Sequence, residues 1–193
     1  SRLKIQILNN DIWAKQLAAF LEQVVLTEQN GKAVLIGNSL GSLTALTTLF
    51  SFPQLVSALV AAPLADPAFM QKSILSQPIW LTRLINQALK FFFYFLPLEI
   101  LVPIISKTSL IKIALQGAYH NSIIYDKELL KIVTRPAKRA TAARALRAMC
   151  IGMSTRKKDF TAPEILNQLS KTKSHPPILL IWGNEDKFVP INL

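Results

Sequence analysis

The residues of this sequence best suited to covalent chemistry are Gly37, Asn38, Ser39, Leu40 and Gly41, a Gly-x-Ser-x-Gly run. A serine hydroxyl is a weak nucleophile until a base takes its proton and the backbone exposes it. The apolar residues 33–36 read as a buried strand and those from Leu40 onward as a helix, which puts Ser39 at a strand-to-helix turn, a nucleophile elbow. Such a turn holds the serine in a strained conformation with its hydroxyl above the sheet, and glycines on both sides are expected to keep Cβ atoms out of the crossing. The Leu40 N–H opens the helix and has no intrahelical acceptor, so it can donate to an oxyanion on the carbon that Ser39 attacks. A plain tight turn is the alternative reading.

Other chemistries are poorly served. One cysteine excludes an internal disulfide, and two histidines, His120 and His175, without a companion cysteine leave no zinc-ligand spacing, so neither a metal nor another cofactor is expected. Cys150 lies in an Ala-rich stretch where Leu146, Met149, Cys150 and Met153 share one helical face, which reads as a small core hydrophobe.

The elements that must position Ser39 follow from periodicity. Residues 12–26 place Trp13, Leu17, Phe20, Leu21 and Val24 at helical spacing, with Asp11 as the candidate N-cap and Asn30 and Gly31 after the end. After the strand at 33–36 comes a buried helix at 40–50, stopped at Phe52 and Pro53, and a second apolar strand at 55–61. This alternation predicts an α/β fold with a parallel sheet whose strands are buried on both faces. Residues 66–173 then read as mostly helical, with helices expected at 74–84, 85–96, 100–116, 127–133, 137–153 and 162–169: an inserted cap. A third strand is expected at 178–182. The expected division is thus a core of 1–65 with 174–193, and a cap of 66–173.

With 51% apolar residues among 193, the chain can bury a core. Its net charge of +11 is concentrated: between 107 and 158 twelve Lys or Arg face only Asp126 and Glu128, an excess of +10. The basic residues alternate with Ala and Leu and no nucleic-acid module signature occurs, so an anionic lipid surface is a better partner than RNA or DNA, beside a simple solvated helix face. Phe91, Phe92, Phe93, Tyr94 and Phe95 crowd a run broken by Lys90, Pro97, Glu99 and Pro103, which is shorter than the ~20 apolar residues of a membrane span. It reads as a greasy cap element that lines a hydrocarbon pocket, dips into a membrane face, or forms ordinary cap core.

The elbow, the inserted cap and the segment from Trp182 through Asp186 to Pro190 together resemble the α/β-hydrolase superfamily. The segments 37–42 and 61–67 and the cap run 116–153 resemble the cyanobacterial and plastid group that includes chlorophyll dephytylase and pheophytinase. The resemblance implies a partial α/β-hydrolase fold with a helical cap and a serine esterase of bulky apolar esters, chlorophyll-type phytyl esters among the candidates. It implies Ser39 as nucleophile, the Leu40 N–H as oxyanion donor, and Asp186, in Gly-x-x-Asp-x-x-x-Pro, as the acid that orients a histidine.

No residue matches the family's histidine, which follows one further strand. His175 precedes its strand and is expected at the sheet edge opposite Ser39; His120 lies in the cap. The family's early strands and the loop carrying the second oxyanion donor have no counterpart either. The expectation is therefore a central portion of a hydrolase, inactive alone, located in the cytoplasm or peripherally on a thylakoid-type membrane, with no signal peptide pattern. A non-catalytic remnant or lipid-binding module that keeps the fold is the alternative.

Overall fold

The computed structural model of the protein describes residues 7–26, 31–69, 79–107, 116, 126–172, 174–186 and 189. Two compact units emerge, one made of Asn9–Thr82 with Arg156–Gly183 and the other of Ser1–Leu8, Arg83–Thr155 and Asn184–Asn192.

The first unit is built on a three-stranded parallel sheet in the order β1 (Ala33–Ser39), β2 (Val56–Leu64), β3 (Ile178–Leu180). Leu35 pairs with Leu59, and Leu59 in turn with Ile178. The mixed α/β class with parallel strands is as the alternation of apolar runs implied. Helix α2 (Leu40–Ser51) joins β1 to β2 and packs against both; α1 (Asn10–Phe20) and α7 (Ala162–Ser170) pack on α2. Leu43, Leu46, Leu49, Thr47, Thr48 and Ser42 of α2 are all buried. A helix so enclosed must satisfy its own hydroxyls: Thr47 donates to the Leu43 carbonyl (2.7 Å) and Thr48 to that of Thr44 (2.9 Å). Buried Asn10 donates through Nδ2 to Thr47 Oγ1 (2.8 Å) and to the Phe160 carbonyl (2.7 Å), tying α1 to α2 and to the turn at Lys158–Phe160.

Several expectations are corrected here. Asn9, not Asp11, caps α1: its Oδ1 accepts from the Ile12 N–H (3.1 Å), while Asp11 lies in the first turn and pairs with Lys15. The helix buries Asn10, Ala14, Ala18 and, in the following π turn, Leu21; Phe20 and Val24 are exposed. Small residues face α2 because two helices approach closely there, and period alone cannot separate a stripe of Ala from a stripe of Phe. Strand β1 is not buried on both faces: Leu35 is buried, but Val34 and Ile36, on the opposite face of the pleat, are 57% and 77% exposed. Strand β2 runs to Leu64, past the expected end at Ala61, and β3 stops at Leu180, short of Trp182.

Asp66 follows β2 and is buried with an ion pair to Arg156. Its carboxylate also accepts from the N–H groups of Ala68 (2.8 Å) and Ala162 (2.7 Å). The second bond caps α7, whose own N-cap residue Thr161 makes no side-chain cap. Through Ala162, Ile165 and Leu169, all buried, α7 belongs with the sheet unit.

The second unit is helical. One helix, α3 (Ile79–Phe95), enters it at Arg83 and replaces the expected break between 84 and 85; α4 (Leu98–Lys107), α5 (Lys127–Ala137) and α6 (Ala142–Thr155) follow. Residues 108–115, to which the helix expected at 100–116 extended, lie outside the described residues. Arg147 on α6 clamps the bend after α3: its Nε donates to the Phe93 carbonyl (3.1 Å), and Nη2 to the Leu96 carbonyl (2.6 Å) and Glu99 Oε2 (2.8 Å). A cation on the last carbonyls of one helix and an acid in the first turn of the next suit both helix dipoles. Helix α6 buries Ala143, Ala148, Ile151 and Gly152 rather than the expected Leu146, Met149, Cys150 and Met153, which are half-buried. The backbone of Leu8 runs against it, donating to the Ala148 carbonyl (3.2 Å), and a Cβ at Gly152 would collide with the Leu8 carbonyl.

Candidate functional site

The turn between β1 and α2 holds the strongest chemical feature. Ser39 sits at φ 54°, ψ −120°, and is the only non-glycine residue with positive φ among the described residues. An L-residue held there costs about 1–3 kcal/mol, and such strain persists only where the surroundings over-determine it. Ser39 also occupies the N-cap position of α2, where serine ordinarily accepts from the second or third helical N–H, yet it makes no capping bond. Its side chain is only partly buried.

Three contacts hold this geometry. A Cβ on Gly37 would lie 2.6 Å from both Cα and N of Ser42 and 2.7 Å from the carbonyl carbon of Gly41, so β1 can meet α2 this closely only with glycine there. The expectation for Gly41 is corrected: a Cβ there would meet nothing within 4 Å, because Gly41 points away from the strand. The pairing register shifts between Gly37, opposite Ala61, and Ser39, opposite Leu64. In that bulge Pro63 has no N–H, and the elbow takes both polar groups of Ala62: its N–H donates to Ser42 Oγ (3.1 Å) and its carbonyl accepts from Asn38 Nδ2 (2.6 Å). Neither Asn38 nor Ser42 stood out in the sequence; the signal available was a small polar residue three positions after Ser39.

Leu40 is the first residue of α2, so its N–H is one of the four that no helical carbonyl can accept. Ser39 and Leu40 are therefore brought together as a hydroxyl-bearing residue beside a helix N-terminus, where negative charge is favoured.

The remaining candidates are placed differently. Asp186 lies six residues beyond the end of β3, in the other compact unit, where its Oδ1 accepts from the Val189 N–H (2.9 Å) in a local turn. His175 is exposed and lies within hydrogen-bonding distance of the Pro176 carbonyl through Nδ1 (2.8 Å). It lines a recess of about 550 Å³ with Lys32, Val56 and Ser57, at the N-terminal edge of the parallel sheet. Ser39 ends β1, so His175 is at the edge away from it, as its position before β3 implied. His120 is outside the described residues. Cys150 is half-buried, and burial pushes its thiol above the ordinary value, which keeps it protonated and unreactive at neutral pH. Among the described residues no group of three or more His, Cys, Asp or Glu could hold a metal ion.

Comparison of the chain with protein-family models, with curated proteins and with solved structures finds no match.

Proposed function

We propose that this chain carries the nucleophile of a serine ester hydrolase, with Ser39 as the attacking residue. The observation that carries the reading is the backbone of Ser39: a serine forced to positive φ between a parallel strand and a buried helix, uncapped and half-exposed. In such chemistry Ser39 Oγ bonds to the ester carbonyl carbon as its proton passes to a base. The carbonyl oxygen becomes an anion facing the Leu40 N–H. Collapse then expels the alcohol, leaving an acyl-serine that water cleaves to the acid. Asp186 is the proposed acid of the triad by resemblance; an imidazole must stand between it and Ser39 for it to serve. Bulky apolar esters are the proposed substrates by the same resemblance.

A fluorophosphonate probe tests the reading, since it phosphonylates a serine through the same attack. Peptide mapping of the 193-residue chain is expected to find the adduct at Ser39, faster with added imidazole as proton acceptor, and to find none in Ser39→Ala. Steady-state p-nitrophenyl ester turnover is expected to equal that of Ser39→Ala, because His175 is at the wrong edge to act as base. Adducts spread over other serines with none at Ser39 would move the conclusion to a non-catalytic protein that retains the elbow.

A further inference from the structure

The helical unit carries a surface that Ser39 chemistry does not use. Phe91, Phe92, Tyr94, Phe95, Ile100 and Ile104 are each more than half exposed on α3 and α4. Scattered exposed apolar residues are ordinary, but six within fourteen positions on two consecutive helices form a patch. Among the described residues no single helix is long and apolar enough to cross a membrane. The segments Gln87–Phe95 and Leu98–Ile104 reach that length and apolarity only together, as a pair bent by 64°. Each is short: at 1.5 Å per residue neither exceeds about 14 Å, half of a hydrocarbon core. The Arg147–Glu99 ion pair sits at the bend, a place that a spanning hairpin would bury in lipid at high cost.

Charge says what covers the patch. Residues 83–155 hold eleven Lys or Arg against Glu99, Asp126 and Glu128, a net +8 of the chain's +11. A recess of about 380 Å³ opens where α4 meets the turn from α5 to α6, lined by Lys138 and Arg139 beside apolar Val102 and Pro103. The one acid in its wall, Glu99, is already matched by Arg147. On α5, Lys127, Lys131 and Arg135 recur every four residues along one stripe, none of its residues is buried, and Ile132 is 67% exposed. A basic helix of this kind has the composition of an element lying in a membrane interface.

We propose that α3, α4 and the turn from α5 to α6 form a docking surface for an anionic lipid bilayer. The aromatic bend inserts at the level of the acyl chains, and Lys138 and Arg139 hold a lipid phosphate in the recess beside Val102. The surface is independent of Ser39.

Co-sedimentation of the full chain with phosphatidylcholine vesicles, with and without 30 mol% phosphatidylserine, tests this. Binding to the anionic vesicles is expected to be at least about tenfold stronger, and to weaken with salt without vanishing, since insertion of apolar groups is not screened. Replacing both Lys138 and Arg139 by Ala should lower binding to anionic vesicles about tenfold. Phe91→Ser with Phe95→Ser should lower binding to both kinds of vesicle, and Ser39→Ala should change neither. Inorganic phosphate at millimolar concentration should not displace the chain. Equal binding to neutral and anionic vesicles in the unaltered chain, or no sedimentation with either while RNA is retained, would overturn the proposal. The lipid and salt series need no variant, so a variant that fails to fold does not remove the test.

Discussion

The surroundings of α2 in the sheet unit and the α3–α4 surface of the helical unit place their apolar residues in opposite ways. In the sheet unit the apolar side chains of α2 are enclosed, and the buried hydroxyls of Thr47, Thr48 and Ser42 all have hydrogen-bond partners. The carboxylate of Asp66 is likewise shared among Arg156, Ala68 and Ala162. In the helical unit the largest aromatic side chains face outward and the main polar clamp, Arg147 with Glu99, lies toward the surface. The packed α2 and the bonded Ala62 backbone are what allow a strained residue such as Ser39 to persist, because they have little room to relax. An open apolar surface gains nothing from being rigid and can serve only by meeting something else. The contrast fits the two proposals, chemistry in one unit and contact in the other.

The sharpest break of this contrast is at Asp66. Asp66→Asn leaves Arg156 charged and buried and should cost about 3–5 kcal/mol, measured by urea unfolding. A loss below 1 kcal/mol would mean that the sheet unit is not held as tightly as its burial implies. Gly37→Ala comes next: its Cβ would meet backbone atoms of Ser42 and Gly41, which cannot swing aside, so a loss of about 3 kcal/mol is expected together with loss of probe labelling at Ser39. Ser39→Gly should do the reverse and stabilise by about 1 kcal/mol, since glycine is unstrained at positive φ, whereas Ser39→Ala should give no such gain. If the two variants melt together, the elbow stores no strain and the reading of Ser39 loses its basis. In the helical unit, Phe91→Ser with Phe95→Ser should move stability by no more than about 0.5 kcal/mol per site, the range of exposed positions. A large loss there would show that these rings are core after all.

The smallest effect concerns acid. Arg147 holds the Glu99 carboxyl below the ordinary carboxylate range through its hydrogen bond to the charged form. A lowered value in the folded state means that Glu99 contributes stability above its unfolded pKa and loses it as pH falls through the lowered one. Amide exchange at the α3–α4 bend should therefore be slower in the unaltered chain than in Glu99→Gln at neutral pH, and the two should converge in strong acid. A difference that persists at the lowest pH would assign the clamp to shape and not to charge.

Much of the candidate site was legible along the chain because it is local. Four apolar residues, Gly-x-Ser-x-Gly and a helix-forming run define strand, turn and helix within some fifteen residues, and the helix N-terminus that supplies the Leu40 N–H comes with them. The apolar runs also sufficed for three parallel strands, since each strand has to be joined by a crossover. Helix faces were read less well: α1 buries Asn10, Ala14 and Ala18 where Trp13, Leu17 and Phe20 were expected, and α6 buries the face of Ala148, Ile151 and Gly152 where that of Leu146, Met149 and Met153 was expected. Periodicity reports which residues share a face, but the partner's distance decides whether that face takes Ala or Phe.

What tertiary structure alone decided are the relations between residues far apart in the chain. That Asp66 would reach ninety residues to Arg156 and cap α7 has no signature in spacing, because any buried carboxylate takes whatever donors the fold brings to it. The same holds for Asn38 and Ser42 on the two polar groups of Ala62, which exist to be bonded only once a bulge has put Pro63 opposite the elbow. The sequence determined that a serine would stand at a strand-to-helix turn; the surrounding contacts decided that its backbone would be held at positive φ, because strain is kept only by neighbours that have nowhere else to go.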